Sequence, residues 1–122
     1  MKIERLAFIA FPVSDLKRSR KFYIEALGAS DVAGGADWHD FKLGDIIVRV
    51  YIHAGEYRRQ HSGLQFVVSN LDEAFSELEL ANAQLRSKIR TETWGGRIFT
   101  VSDTDGNIFD LLDASYFASD KG

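Results

Sequence analysis

The groups that could do chemistry in this 122-residue sequence are few: three histidines, no cysteine, and single polar residues set inside otherwise apolar runs. Without a thiol there is no cysteine nucleophile, no sulfur-ligated zinc, no iron–sulfur cluster and no disulfide, so any metal would have to be held by imidazole and carboxylate. The sequence contains no glycine-rich phosphate loop, nucleophile elbow or zincin motif. The most suggestive run follows Gly44, where Ile46, Val48, Val50 and Ile52 alternate with Ile47, Arg49, Tyr51 and His53. In a strand this alternation sends the apolar set to one face and the mixed set to the other. Arg49 could there hold a carboxylate or phosphate through two parallel hydrogen bonds. It could equally close an internal ion pair with Asp110 or Asp40 and leave nothing for a ligand. The densest basic run, Lys17-Arg18-Ser19-Arg20-Lys21, falls on the first turns of a helix and reads as its solvated face.

The elements that position these groups come in two similar sets. Phe11-Pro12-Val13-Ser14-Asp15-Leu16 is echoed 55 residues later by Phe66-Val67-Val68-Ser69-Asn70-Leu71, and Gly44-Asp45-Ile46-Ile47 by Gly106-Asn107-Ile108-Phe109. Each opening echo closes a strand, Leu6 to Val13 and then Leu64 to Val68. A helix start follows each time, with Ser14 or Asp15 as the first cap and Asn70, with Glu73 three residues on, as the second. Leu71, Ala74, Phe75, Leu78 and Ala81 recur at helical spacing opposite an acidic side, which predicts a helix covering a sheet. The first helix should stop near Leu27, before Gly28. Strands are then expected at Trp38–Leu43, Ile46–His53, Gly96–Ser102 and Asn107–Leu112, with short extra ones near Ser30–Val32 and Ser87–Arg90. The unit is strand, helix, three strands, written twice, as modules of about 1–54 and 61–114 with a polar linker at about 55–60. One domain over 1–122 is the expectation, of the α+β class.

Fifteen basic against eighteen acidic side chains leave a formal charge of −3, which offers no field for a phosphate backbone; nucleic acid is not expected as a partner. No run approaches the roughly 20 apolar residues of a membrane span. Met1-Lys2-Ile3-Glu4-Arg5 lacks the apolar stretch of a signal peptide. A cytoplasmic protein with no membrane partner and a small-molecule ligand is therefore expected.

Several of these segments together resemble the vicinal oxygen chelate superfamily, which includes glyoxalase I, bleomycin-resistance proteins, fosfomycin-resistance enzymes and extradiol dioxygenases. They are Phe11–Leu16 followed by Arg18-Ser19-Arg20-Lys21-Phe22-Tyr23 and Leu27-Gly28, the repeated opening at Phe66–Leu71, and Asp103-Thr104-Asp105-Gly106-Asn107. The family's usual proline in the last motif is Thr104 here. The resemblance implies two βαβββ modules whose curved mixed sheet wraps a cavity, usually in a homodimer, with the modules paired within one chain or across two. It also implies a divalent metal held by His, Gln or Glu from the first and last strands of each half. Counted from the motifs, those places fall on Phe8, on Gly63, on Asp110, and on Ile47 or Val48. A single carboxylate is not a site, so no cofactor is expected. His61 stands two residues from Gly63, about 6.6 Å along a strand against a metal–nitrogen bond of about 2.0–2.1 Å, and would reach the place only if the strand were remodelled.

Without a metal, the implied cavity is lined by Arg49, Asp110, Asp40, Gln65, Tyr51 and Thr100 among Phe8, Trp38, Ile47, Trp94 and Ile98, the composition of a small-molecule pocket. Trp94 before Gly95-Gly96 looks like the Trp-Gly segment of bleomycin-resistance proteins; otherwise it packs on its own loop or on a partner chain. His39 shares the parity of Phe41 and Leu43 and reads as structural. The function that follows is binding or sequestration of an aromatic or anionic organic molecule. The alternative is a lyase, isomerase or dioxygenase of lactoylglutathione-lyase type. It would use either an atypical metal site built from His61, Asp110 and a third ligand such as His53 or Glu4, or no metal, with Asp110 as base and Arg49 as electrostatic stabiliser.

Overall fold

The alternation of apolar residues decides which side of each strand is buried, and in the computed structural model, which describes residues 1–53, 55 and 60–118, it does so twice. The chain divides into two compact units, Met1–Arg58 and Arg59–Gly122.

In the first unit, β1 (Ile9–Val13) leads into α1 (Leu16–Lys21), where the Asp15 carboxylate accepts a hydrogen bond from the Arg18 N–H at 3.0 Å as N-cap. The helix runs on into a π-helical turn at Phe22–Ala26. That wider turn seats two consecutive aromatics, Phe22 and Tyr23, in the core, and Gly28 at φ +72° ends it. Strands β2 (Ser30–Gly34), β3 (Trp38–Leu43) and β4 (Ile46–Ile52) complete a sheet of order β1-β4-β3-β2 in which β1 and β4 are parallel and the rest antiparallel. Phe11, Val13, Phe41, Val48 and Val50 are all buried, with Tyr23 stacked on Phe41 at 5.3 Å between ring centroids. Such a pair contributes about 0.5–1.5 kcal/mol beyond its burial. His39 is structural, as expected: its ring lies 4.8 Å from that of Phe41, and its Nε2 is 2.5 Å from Asp31, which also receives Arg20 at 2.6 Å.

The second unit repeats the plan. Strand β5 (Gln60–Val68) leads into α2 (Leu71–Leu80), capped by the Asn70 side chain accepting from the Glu73 N–H at 3.1 Å. Then come β6 (Gln84–Leu85), β7 (Arg90–Thr91), β8 (Arg97–Ser102), β9 (Asn107–Asp113) and a final turn of helix, α3 (Ser115–Ala118). The sheet order is β5-β9-β8-β6, with β7 also on β8 and β5 parallel to β9. Phe66 meets Phe109 and Phe75 of α2 meets Phe99, both edge to face. Arg97 ties the start of α2 to the end of β9, reaching Asp72 at 3.1 Å and Asp113 at 3.2 Å. The Asp72 hydrogen bond pushes its guanidinium above its usual range. Buried Asp103 organises the last hairpin by accepting the N–H groups of Asp105 and Asn107, both at 2.9 Å.

The architecture is thus α+β, two βαβββ-type modules each with its own mixed sheet. Several boundaries differ from those expected. The first strand begins at Ile9, not Leu6, and the second module's opening strand begins at Gln60, not Leu64. The linker predicted at 55–60 lies largely outside the described residues, apart from Gly55 and Gln60. The strand expected at Ser87–Arg90 is two dipeptides, because the Ser87 hydroxyl and not a backbone carbonyl takes the Thr100 N–H, at 3.0 Å, and interrupts the ladder. No helix among the described residues is long and apolar enough to cross a membrane.

Two predictions follow from packing. Ser19 is fully buried in α1 and its hydroxyl has no hydrogen-bond partner among the described residues; Ser19→Ala should raise stability by about 1 kcal/mol, read as a higher urea midpoint with unchanged slope. Hydrogen bonds from Arg20 and then His39 hold the Asp31 carboxyl below its ordinary 3.8. A depressed carboxyl stabilises the fold fully above the unfolded value and loses that contribution as pH falls through the folded one. Acid unfolding scans below about pH 3.8 should therefore fall less steeply for Asp31→Asn than for the parent.

Candidate functional site

On the first unit, the face turned away from α1 carries the mixed residues. Register places Ala10, Arg49 and Asp40 side by side on β1, β4 and β3, with Trp38 opposite Tyr51. Arg49 gives its Nε to Asp40 Oδ1 at 2.7 Å and a terminal nitrogen to Oδ2 at 3.0 Å. Its Cζ sits 4.3 Å from the Phe8 ring centroid and 4.5 Å from that of Trp38, within cation–π range of both. The Trp38 ring in turn lies across Gly35, where any side chain would collide with it. Of the two destinations open to Arg49, the internal ion pair is the one formed, with Asp40; those hydrogen bonds raise the guanidinium further above its usual range. A cavity of about 320 Å³, lined by residues 5–8 and 45–47, opens beside Phe8 and Ile47.

On the second unit the decisive feature is an irregularity. His61 pairs with Ile108 but Gln65 with Asp110, so β5 carries two residues more than β9 between these points. The bulge turns at Gly63, φ +80°, a backbone shape that disfavours any side chain. It is pinned by Ser62, whose hydroxyl donates to the Ile108 carbonyl at 2.8 Å and accepts the Leu64 N–H at 3.2 Å. In an unbroken strand Gly63 would stand opposite Ile108; the bulge puts His61 there instead. This is the remodelling that counting along the strand left out.

His61 Nε2 then lies 3.0 Å from Asp110 Oδ1. The same oxygen accepts the Thr100 hydroxyl at 2.6 Å. Behind Thr100 stands Arg90, with two terminal nitrogens each 3.3 Å from the hydroxyl oxygen, its Nε on Glu92 at 2.7 Å and a further bond to Ser87 at 2.6 Å. The Gly63 N–H donates to His61 Nδ1 at 2.8 Å. Because Nδ1 must accept that bond, the ring proton of the neutral imidazole sits on Nε2, the nitrogen 3.0 Å from Asp110.

The predicted residues therefore gather in two groups: Phe8, Trp38, Asp40 and Arg49 in contact on the first unit, with Ile47 and Tyr51 on the same face; Thr100, Asp110 and His61 in contact on the second, with Gln65 in register. Ile98 is buried beside them at 2% exposure and presents little to a ligand. Trp94 packs edge to face on Tyr116 of α3 at 5.1 Å and across Gly96, the loop-packing alternative. Sequence reasoning missed Arg90, Ser87 and Tyr116. Arg90 sits in a two-residue strand too short for a periodic signal, and Tyr116 lies beyond the last predicted element.

The profile of the glyoxalase/bleomycin resistance protein/dioxygenase superfamily matches residues 5–111. The chain belongs to this superfamily. Solved structures similar to it include the fosfomycin resistance protein FosX from Listeria monocytogenes, at TM-score 0.81 and 18% identity over 93% of this chain and 95% of that one. A lactoylglutathione lyase from Agrobacterium tumefaciens reaches TM-score 0.77 at 16% identity over 93% and 96%. An integron cassette protein from Vibrio cholerae reaches 0.72 at 24% over 93% and 98%. These likenesses show the fold. No curated protein matches the chain.

Superfamily enzymes use a divalent metal, and the donor set here does not fit one. Phe8 offers no donor at the first ligand place. His61 and Asp110 reach two others, but the tautomer is reversed: a ligating Nε2 needs its lone pair, supplied when Nδ1–H donates to an acceptor, whereas here Nδ1 faces a donor. Among the described residues no three His, Asp or Glu side chains are grouped to hold a cation. Nitrogen-15 spectra of the imidazole should accordingly show His61 as the neutral Nε2–H tautomer. Gly63→Ala, which strains the bulge, should lower stability by about 1 kcal/mol or more and mix the two tautomers.

Proposed function

We propose that the protein binds a small organic molecule on an open sheet face and performs no metal-dependent reaction. The single observation that carries this reading is the Gly63 N–H on His61 Nδ1, which leaves neither ring nitrogen with a lone pair for a metal or for a proton from substrate. Arg49 supports it: with Asp40 on its Nε edge, the ion pair is neutral and the guanidinium is not poised to stabilise a developing oxyanion. What the first unit offers is aromatic surface, Phe8 and Trp38 around that neutral pair, beside a cavity within the size range of small-molecule sites. An aromatic ligand suits it better than an anion does. Homodimeric assembly in the cytoplasm belongs to the same proposal, the family habit being two chains together.

Elemental analysis of protein purified without chelator should find Mn, Fe, Ni and Zn all far below one per chain. In parallel, aromatic members of a compound library should raise the melting temperature with increasing dose; linkage gives about 2.7 kcal/mol of stabilisation at a hundred times Kd. Trp38→Ala should weaken that rise. A stoichiometric metal that vanishes in Asp110→Ala, or a library in which nothing binds, would overturn the proposal.

A further inference from the structure

We infer that Asp110 is the recognition point for a protonated amine on the ligand. This rests on the binding function proposed above and gives the second unit's own sheet face a preference for a positively charged group.

Asp110 is 5% exposed; its Oδ1 accepts the Thr100 hydroxyl at 2.6 Å, as an ionised carboxylate does, and lies 3.0 Å from His61 Nε2. Oδ2 receives no bond from the described residues. Neither partner brings a positive charge: Thr100 is a hydroxyl, and His61, with Nδ1 accepting from Gly63, is the neutral imidazole. Arg90 lies one hydroxyl further on, bonded to Thr100, and its charge is matched by Glu92 at 2.7 Å. The charged groups of this cluster thus sum to one uncompensated negative charge, held on a buried carboxylate. A buried carboxylate without a cation is expensive, and the expense is relieved when an ion of opposite sign hydrogen-bonds to it.

Which oxygen is already bonded indicates which ion. One oxygen is already taken, so a flat two-pronged group such as a guanidinium or amidinium would find half of its partner occupied. An ammonium needs one oxygen and then other acceptors for its remaining protons. Gln65 is opposite Asp110 in register, exposed, and carries an amide oxygen. An anionic ligand is disfavoured on this face, where Asp110 would repel it.

Benzylamine, protonated at neutral pH, is the probe, with benzyl alcohol as its uncharged and benzoate as its anionic counterpart. Each is titrated into the full chain at millimolar concentration while backbone amide spectra are recorded. Benzylamine should shift the Thr100 and Asp110 amides and bind about tenfold or more tightly than benzyl alcohol, and benzoate should leave those amides unmoved. Asp110→Asn should erase the preference for the amine. If that variant does not fold, Gln65→Leu, on an exposed side chain, should weaken benzylamine severalfold and leave benzyl alcohol unchanged. Equal binding of amine and alcohol in the unmodified protein, a preference that survives Asp110→Asn, or one left undiminished by Gln65→Leu would overturn this inference and leave the binding function standing. Failure of all three aromatic probes to bind, or stoichiometric displacement of benzylamine by a divalent cation, would overturn both.

Discussion

Each sheet has one helix to cover it, and a single helix covers one face. That constraint runs through the whole chain. It forces every central strand to alternate, apolar beneath the helix and mixed opposite. In β4 the buried positions are Val48 and Val50 and the mixed ones Ile47, Arg49 and Tyr51. In β9, Phe109 and Leu111 face α2 while Asp110 faces away. Polar groups gather on the uncovered faces because the covered ones have no room for an unsatisfied charge.

That face then has to satisfy its own charges, and it does so locally. Arg49 turns to Asp40 on the adjacent strand, and Arg90 to Glu92 two residues on. Asp110 is the exception, held by a hydroxyl and a neutral imidazole. The difference comes from the neighbouring strand positions. In β3 the residue across from Arg49 is an acid; in β8 the residue across from Asp110 is a threonine.

Much of this was legible in the sequence because it follows from period two and from turn chemistry. The alternation in Ile46–His53, the caps at Asp15 and Asn70 and the stop at Gly28 each depend on residues close together in the chain, and each appears as expected. Arg49 was correctly placed on the mixed face, but its partner depended on register across strands, which periodicity does not supply. His61 was named as a candidate beside Asp110, but the remodelling that brings the two together was not legible, for a related reason. Counting residues assumes that a strand advances evenly, and between His61 and Gln65 this one does not. The cue was Ser62-Gly63, a hydroxyl beside a residue free to turn, but it reads equally as the end of a loop. Arg90 left no trace, since two residues cannot show a period.

The bulge at residues 62–64 also bears on how relatives of this chain are compared. An alignment that runs through this strand without a two-residue gap sets a glycine in the column where the imidazole stands in space. Such an alignment would score the place as lost. Placing the gap at the bulge puts His61 in that column, opposite Ile108.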